Sequence, residues 1–200
     1  MFYQPSSEQI TELKRLQSKR DLLVKMQSQI RQALTDKNDK DFEASVKAIA
    51  KDKETIEKKI KKVIASDSTL ANQDKLLQSI PGIGDVLSVT LITITEGFTS
   101  FSDPRKLACY AGIAPFPYRS GKSIRYRDRI SKHGNQRLKK RLNLAAWNAI
   151  RSVEHLKKYY ERKVNEGKAK LSAINAIRNK LVAIIMAVIR RNEPFSKDYS

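Results

Sequence analysis

Acidic residues are scarce in this chain. Its 200 residues carry 40 Lys and Arg against 21 Asp and Glu, a formal net charge of +19, with a pI near 10.0. Such an excess repels itself in a compact fold and attracts polyanions. Nucleic acid is the first partner class this points to, with an anionic membrane surface a distant second. The acids present, among them Asp85, Glu96, Asp103 and Asp128, are scattered, so no metal site and no cofactor are expected in this chain. Cysteine occurs once, at Cys109, which excludes an internal disulfide and fits a reducing cytoplasm. With no histidine near it in sequence to activate the thiol, Cys109 reads as a small buried residue. Met1-Phe2-Tyr3-Gln4-Pro5 lacks the basic-then-apolar pattern of a signal peptide. The longest apolar run, Leu181 to Ile189, is too short to span a bilayer and reads as a buried helix.

What the chain has is helical periodicity and a hydrophobic content of 40%, enough for a core. Ser6 with Gln9 three residues on reads as a capping box, opening a helix from about Ser7 to Leu34. Leu16, Leu23 and Ile30 are spaced seven apart, as in a coiled-coil seam. After the polar stretch 35–40, a second helix is predicted from Asp41 to about Ala65, with Phe42, Ile49, Ile56 and Val63 repeating every seven residues. The expected fold class is therefore all-α. A long antiparallel helical hairpin over 1–66 precedes a compact helical domain over 67–200. The hairpin reads equally as a structural arm and as a dimerisation arm.

A short helix from Leu70 to Ser79 leads into Pro81-Gly82-Ile83-Gly84, the pattern of a helix-hairpin-helix. Gly82 and Gly84 permit positive φ and a close approach of backbone N–H groups to a phosphate. The helix starting there adds the positive field of its N-terminus. A plain tight turn between packed helices is the bland alternative. Val86 to Thr95 is rich in β-branched residues and could be a strand, but Leu87, Leu91 and Ile94 favour a helix, with small Ser88 where two helices cross. Ser102-Asp103-Pro104 starts a further helix, with Leu107, Ala108, Tyr110 and Ala111 on its packed face and Gly112 at its end.

The densest charge lies between Arg119 and Arg141. These 23 residues hold ten bases (Arg119, Lys122, Arg125, Arg127, Arg129, Lys132, Arg137, Lys139, Lys140 and Arg141) and one acid, Asp128, a net +9. Arg125, Arg127 and Arg129 alternate with other residues, a period suited to an extended basic loop or short hairpin with the arginines on one face. Tyr118 and Tyr126 could stack on bases or sugars. Ser120-Gly121 reads as an exposed turn. A serine there could attack a phosphodiester with its basic neighbours stabilising the developing charge, although from the residues alone an ordinary Ser-Gly turn is the stronger reading. His133 reads as a phosphate or backbone contact, with a general-base role as the sharper alternative. Helices are predicted over Gln136 to Ser152, Glu154 to Asn165 and Leu171 to Arg191, with Trp147 at the core or its edge.

The segments LLQSIPGIGDVLSVTLI, KLACYAGIAP, SGKSIRYRDRISKHGNQRLKKRL and INAIRNKLVAIIMAVI, in that order, resemble the transposases of the bacterial insertion sequence 110 family, also called Piv-like. The N-terminal YQPSSEQITELKRLQSKRDLLV resembles the family's connecting helix. The resemblance implies an N-terminal ribonuclease-H-like domain with four metal-binding carboxylates, where Mg2+ is expected, followed by a transposase domain with a nucleophilic serine before a glycine. Ser120 matches that position, with Ser123 as runner-up. The resemblance further implies DNA as substrate, an element-encoded guide RNA, and assembly as a dimer or tetramer. The chain starts where the carboxylate domain would end, so that domain is expected to be missing here.

On this reading the chain is the DNA-binding, serine-bearing part of an insertion-sequence transposase. It contacts nucleic acid through Gly82, Ile83, Gly84, Arg119, Lys122, Arg125, Arg127, Arg129, Lys132, His133, Arg137 and Lys140. The rivals are a non-enzymatic helix-hairpin-helix DNA-binding protein, which leaves Ser120 without a role, and a structural RNA-binding protein of ribosomal type.

Overall fold

The most apolar stretch of the chain sits in the middle of a 22-residue helix, Lys170–Arg191. By length and composition this helix could cross a membrane. Its apolar side chains are instead spent inside the protein: Ala173, Ile174, Ile177, Leu181, Val182, Ile185, Met186 and Val188 are all buried. In this computed structural model, residues 6–34, 42–120, 124–131 and 133–196 are described, with backbone alone for 117–120 and 124–129. The helices are α1 (Glu8–Ala33), α2 (Glu43–Ala65), α3 (Ser68–Gln78), α4 (Asp85–Thr95), α5 (Pro104–Tyr110), α6 (Gln136–Ser152), α7 (Glu154–Asn165) and α8 (Lys170–Arg191). Strands β1 (Pro115–Ser120) and β2 (Ile124–Ile130) form one antiparallel pair. The protein is thus all-α, with a single two-stranded ribbon among the described residues. It divides into two compact units, residues 1–72 and 73–200.

In the first unit α1 packs on α2. Ile10, Leu13 and Leu16 of α1 and Ile49, Ile60 and Ile64 of α2 are buried, while Leu23, Ile30, Ile56 and Val63 are only half-buried. Arg20 Nε donates to Glu57 Oε1 across the pair at 2.7 Å. The cap of α1 falls one residue later than the capping-box reading. Ser7 Oγ accepts from Ile10 N–H, and Ser6 Oγ instead accepts from Lys14 Nζ. The exposed residues of this unit include large apolar ones: Leu22 is 57% exposed, Met26 41% and Phe42 55%.

The second unit is built around α8, which packs against α5, α6 and α7. Burial of its apolar stripe supplies the hydrophobic drive, on the order of 1.5–3 kcal/mol for each fully buried Leu or Ile. Residues 85–95 form a helix despite their β-branched content, because the segment is buried almost all round. Its threonines satisfy their hydroxyls within the helix, Thr90 on Val86 O, Thr93 on Val89 O and Thr95 on Leu91 O. Such back-bonding makes a β-branched polar residue tolerable in a helical core. Ser88 is fully buried and donates to Asp74 Oδ1 of α3, so the small residue expected at the helix crossing also ties the two helices together. Asp103 caps α5 by accepting from Arg105 N–H, with Pro104 as its first residue. Tyr110 departs from expectation. It is exposed rather than packed, with its ring edge-on to Phe101 and its hydroxyl accepting from Asn135 Nδ2. Its place at the C-terminal end of α5 turns it off the face that Leu107 and Ala108 bury.

Candidate nucleic-acid interface

The basic run begins on a β-ribbon whose base is clamped. Gly112 and Gly134 flank the ribbon and cross each other. A Cβ on Gly134 would lie 2.2 Å from Gly112 Cα, and a Cβ on Gly112 would lie 2.9 Å from Gly134 Cα. Only glycine fits at such a contact, and Gly112 also needs a φ of +66°. Asn135 N–H donates to Tyr110 O at 2.8 Å beside this crossing. On the other side, Asn175 and Asn179 of α8 both donate to Ile113 O, at 2.8 and 3.0 Å. Asn135 then caps α6, accepting from Leu138 N–H at 2.9 Å. The central helix of the unit therefore fixes where the ribbon starts, and α6 takes over where it ends.

Within the ribbon, Arg119 pairs with Arg125, Tyr118 with Tyr126, Ser120 with Ile124, and Phe116 with Arg129. Ser120 is the last residue of β1, beside the connection 121–123. It is thus a strand end rather than a residue of the turn itself. Between Phe116 and Tyr118 the register shifts, so three steps along β2 match two along β1. The uninterrupted alternation expected for Arg125, Arg127 and Arg129 is therefore broken between Tyr126 and Arg129. A bulge of this kind bends a strand and strengthens its twist. Lys122 and Ser123 lie outside the described residues, as does Lys132.

The other residues singled out in sequence fall in different settings. His133 is exposed, and its N–H donates to Ser131 Oγ. Arg137 and Lys140 lie on α6, half-buried and exposed respectively. Arg141 is drawn inward, where it donates to Thr90 Oγ1 and joins α6 to α4. Gly82 has a φ of +92° and rests on the backbone of α6, where a Cβ would lie 2.4 Å from Ala145 O. Ile83 is buried in the core, and Gly84 is exposed at the N-terminus of α4. The visible requirements for glycine at position 82 are thus a left-handed φ and close packing on α6. The basic residue that sequence reasoning passed over is Arg178. It lies on the buried stripe of α8 between Ile177 and Leu181, and an arginine interrupting an apolar period is the signal that could have found it.

Among the described residues, no three His, Cys, Asp or Glu side chains come together as a metal-holding group.

Residues 74–161, which hold the ribbon, the Gly82 turn and α6, match the profile of the transposase IS116/IS110/IS902 family. This segment belongs to that family. The pilin gene-inverting protein of Moraxella bovis is 38% identical over 130 residues, 64% of this chain and 40% of that protein. The uncharacterised 43.6 kDa protein of insertion element IS110 from Streptomyces coelicolor is 32% identical over 116 residues, 58% of this chain and 28% of that protein. The corresponding 42 kDa protein of IS900 from Mycobacterium paratuberculosis is 28% identical over 144 residues, 65% of this chain and 36% of its own length. The chain thus spans well under half the length of these IS110-type relatives. Transposition and DNA recombination are the functions this family joins.

Proposed function

We propose that this chain is the DNA-binding part of an IS110-type recombinase, and that the β1–β2 ribbon is its principal contact. The observation carrying this reading is the pairing of Arg119 with Arg125 at the end of a ribbon that also holds Arg127 and Arg129. Like charges at directly opposed positions destabilise a strand pair. An anion lying along the ribbon removes that penalty, and a phosphate backbone supplies anions at the required density. Tyr118 and Tyr126, paired in the register, add stacking surfaces for bases or sugars. The α3–turn–α4 segment, with Gly84 exposed at a helix N-terminus, serves as a second backbone contact of the helix-hairpin-helix type. A guide RNA would be held by the same chemistry, and the apolar surface of the α1–α2 pair serves self-association as a dimer or higher oligomer. The expected setting is the bacterial cytoplasm, at the nucleoid.

Ser120 is assigned as the nucleophile, with Ser123 in reserve. Its Oγ forms a bond to phosphorus while a P–O bond to deoxyribose breaks. The hydroxyl proton passes to a base, and the departing deoxyribose oxygen takes up a proton. Basic neighbours stabilise the negative charge developing on the phosphoryl oxygens. A serine hydroxyl needs a base to become an effective nucleophile, and the run Arg119 to Arg141 offers one carboxylate and one imidazole among ten cations. By itself this chain should therefore bind DNA without cutting or joining it. Covalent protein–DNA adducts that disappear in Ser120→Ala would make it a complete enzyme.

Binding is tested by fluorescence anisotropy with duplex DNA across a salt series. Affinity should fall steeply, with a log–log slope of about −0.9 per phosphate contacted. Arg125→Ala/Arg127→Ala/Arg129→Ala should lose most of the affinity while the far-UV circular dichroism is unchanged. Affinity that is flat with salt would exclude the phosphate reading. Clear preference for folded RNA over any DNA would favour an RNA-binding protein instead.

A further inference from the structure

A cleft of about 410 Å³ opens between α6 and α8. Gln136, Lys139, Lys140, Asn143 and Leu144 line it from one face of α6, and Arg178 from α8. Arg178 is 8% exposed, and its Nε has no hydrogen-bond partner. Among the described residues no carboxylate pairs with Arg178, Lys139 or Lys140. Burial pulls the Arg178 guanidinium below its ordinary value. Lys139 is likewise held below the usual lysine range, first by burial and then by the positive charge of Arg178. A buried charge without a partner is costly, and here two cations are brought together with no acid between them. The Asn143 amide stands on the same face of α6 as an additional donor, whereas the Gln136 amide already donates to Gly134 O. An anion in the cleft would supply the missing acceptor and offset the paired positive charge.

We propose that the α6/α8 cleft is a binding site for one phosphodiester group of the DNA backbone, with Arg178 as its buried anchor and Lys139 and Lys140 at its rim. The guanidinium offers a planar fork that matches two phosphate oxygens, and burial strengthens each bond it makes. The lysines act as point charges from the solvent side. A contact of this kind fixes the register of the protein on the nucleic acid without reading sequence. The choice of DNA rests on the function proposed above, whereas the choice of a phosphate-type anion rests on the cleft alone. The site also lies on α6, the helix that leaves the ribbon, so one element would carry contacts on both.

The test uses the 200-residue chain, Arg178→Met, and Lys139→Gln as a rim variant that leaves the core untouched. In phosphate-free buffer Arg178→Met should melt higher than the parent, because it removes an unpaired buried charge. Inorganic phosphate should raise the melting temperature of the parent more than chloride at equal ionic strength, and should shift the Arg178 Nε–H resonance saturably. Both responses should vanish in Arg178→Met and weaken in Lys139→Gln. DNA affinity should fall about tenfold in Arg178→Met, with the salt slope shallower by about one phosphate. Should Arg178→Met not fold, the Arg178 resonance in the parent and the DNA affinity of Lys139→Gln decide in its place. Parent-like DNA affinity and salt slope in a folded Arg178→Met would overturn the proposal while leaving the DNA-binding function intact. Absence of DNA binding by the parent would instead remove that function and, with it, DNA as the ligand. A saturable phosphate response would then retain only the anion site. An effect of Arg178→Met confined to RNA binding would assign the cleft to RNA and equally overturn the DNA assignment.

Discussion

Gly134 and Gly84 show how differently two glycines can be constrained in one domain. A methyl group on Gly134 would meet the backbone of Gly112 at 2.2 Å, where no flexible side chain can give way. Gly134→Ala should therefore force the base of the ribbon apart and cost roughly 1–3 kcal/mol or more, in the manner of an overpacked core. At Gly84 nothing lies within 4 Å of the added carbon, and its φ of −110° suits any residue. Gly84→Ala should cost no more than about 1 kcal/mol, the scale of an altered helix cap. Urea unfolding of the two variants side by side checks the contrast. Equal midpoints would mean that the Gly112–Gly134 crossing is not a constraint on stability.

Helix α8 does more than fill the core. Through Asn175 and Asn179 it holds the carbonyl of Ile113, a fully buried residue at the entrance to the ribbon. Leaving a buried carbonyl unsatisfied costs about 1–3 kcal/mol, against about 1 kcal/mol net for an ordinary hydrogen bond. Asn175→Ala/Asn179→Ala should therefore loosen the ribbon more than it destabilises the helices. Hydrogen exchange provides the readout: amides of β1 and β2 should exchange faster while those in the middle of α8 keep most of their protection. Uniform acceleration across the unit would show that the asparagines hold the whole core instead.

At the scale of the whole molecule, the first unit leaves several large apolar side chains in the open. Leu22, Met26 and Phe42 are exposed, and Leu23 and Ile56 line a groove of about 380 Å³ between α1 and α2. Contiguous exposed apolar side chains can mark association surfaces. We expect the chain to form a dimer or higher oligomer, with Leu22→Lys/Met26→Lys shifting it toward monomer without loss of helix content. Light scattering over a concentration series measures this directly, and a parent chain that stays monomeric throughout would count against the expectation.

The sequence by itself determined the helices and pointed to a polyanionic partner. Periodicity, caps and breakers act within a few residues, so the elements from α1 to α8 could be placed from local pattern, including the buried helix 85–95. The charge excess and its concentration between Arg119 and Arg141 needed only counting, and four ordered segments sufficed for the family. Tertiary structure alone decided what depends on contacts between distant residues. It set Gly82 against α6, crossed Gly112 with Gly134, turned Tyr110 outward, and broke the alternation of the ribbon arginines by a register shift. It also buried Arg178 beside Lys139, although 39 positions separate them. The physical reason is range. Propensity and hydrophobic period are properties of neighbours along the chain, whereas desolvation, close backbone crossing and strand register are set by whatever the fold brings alongside.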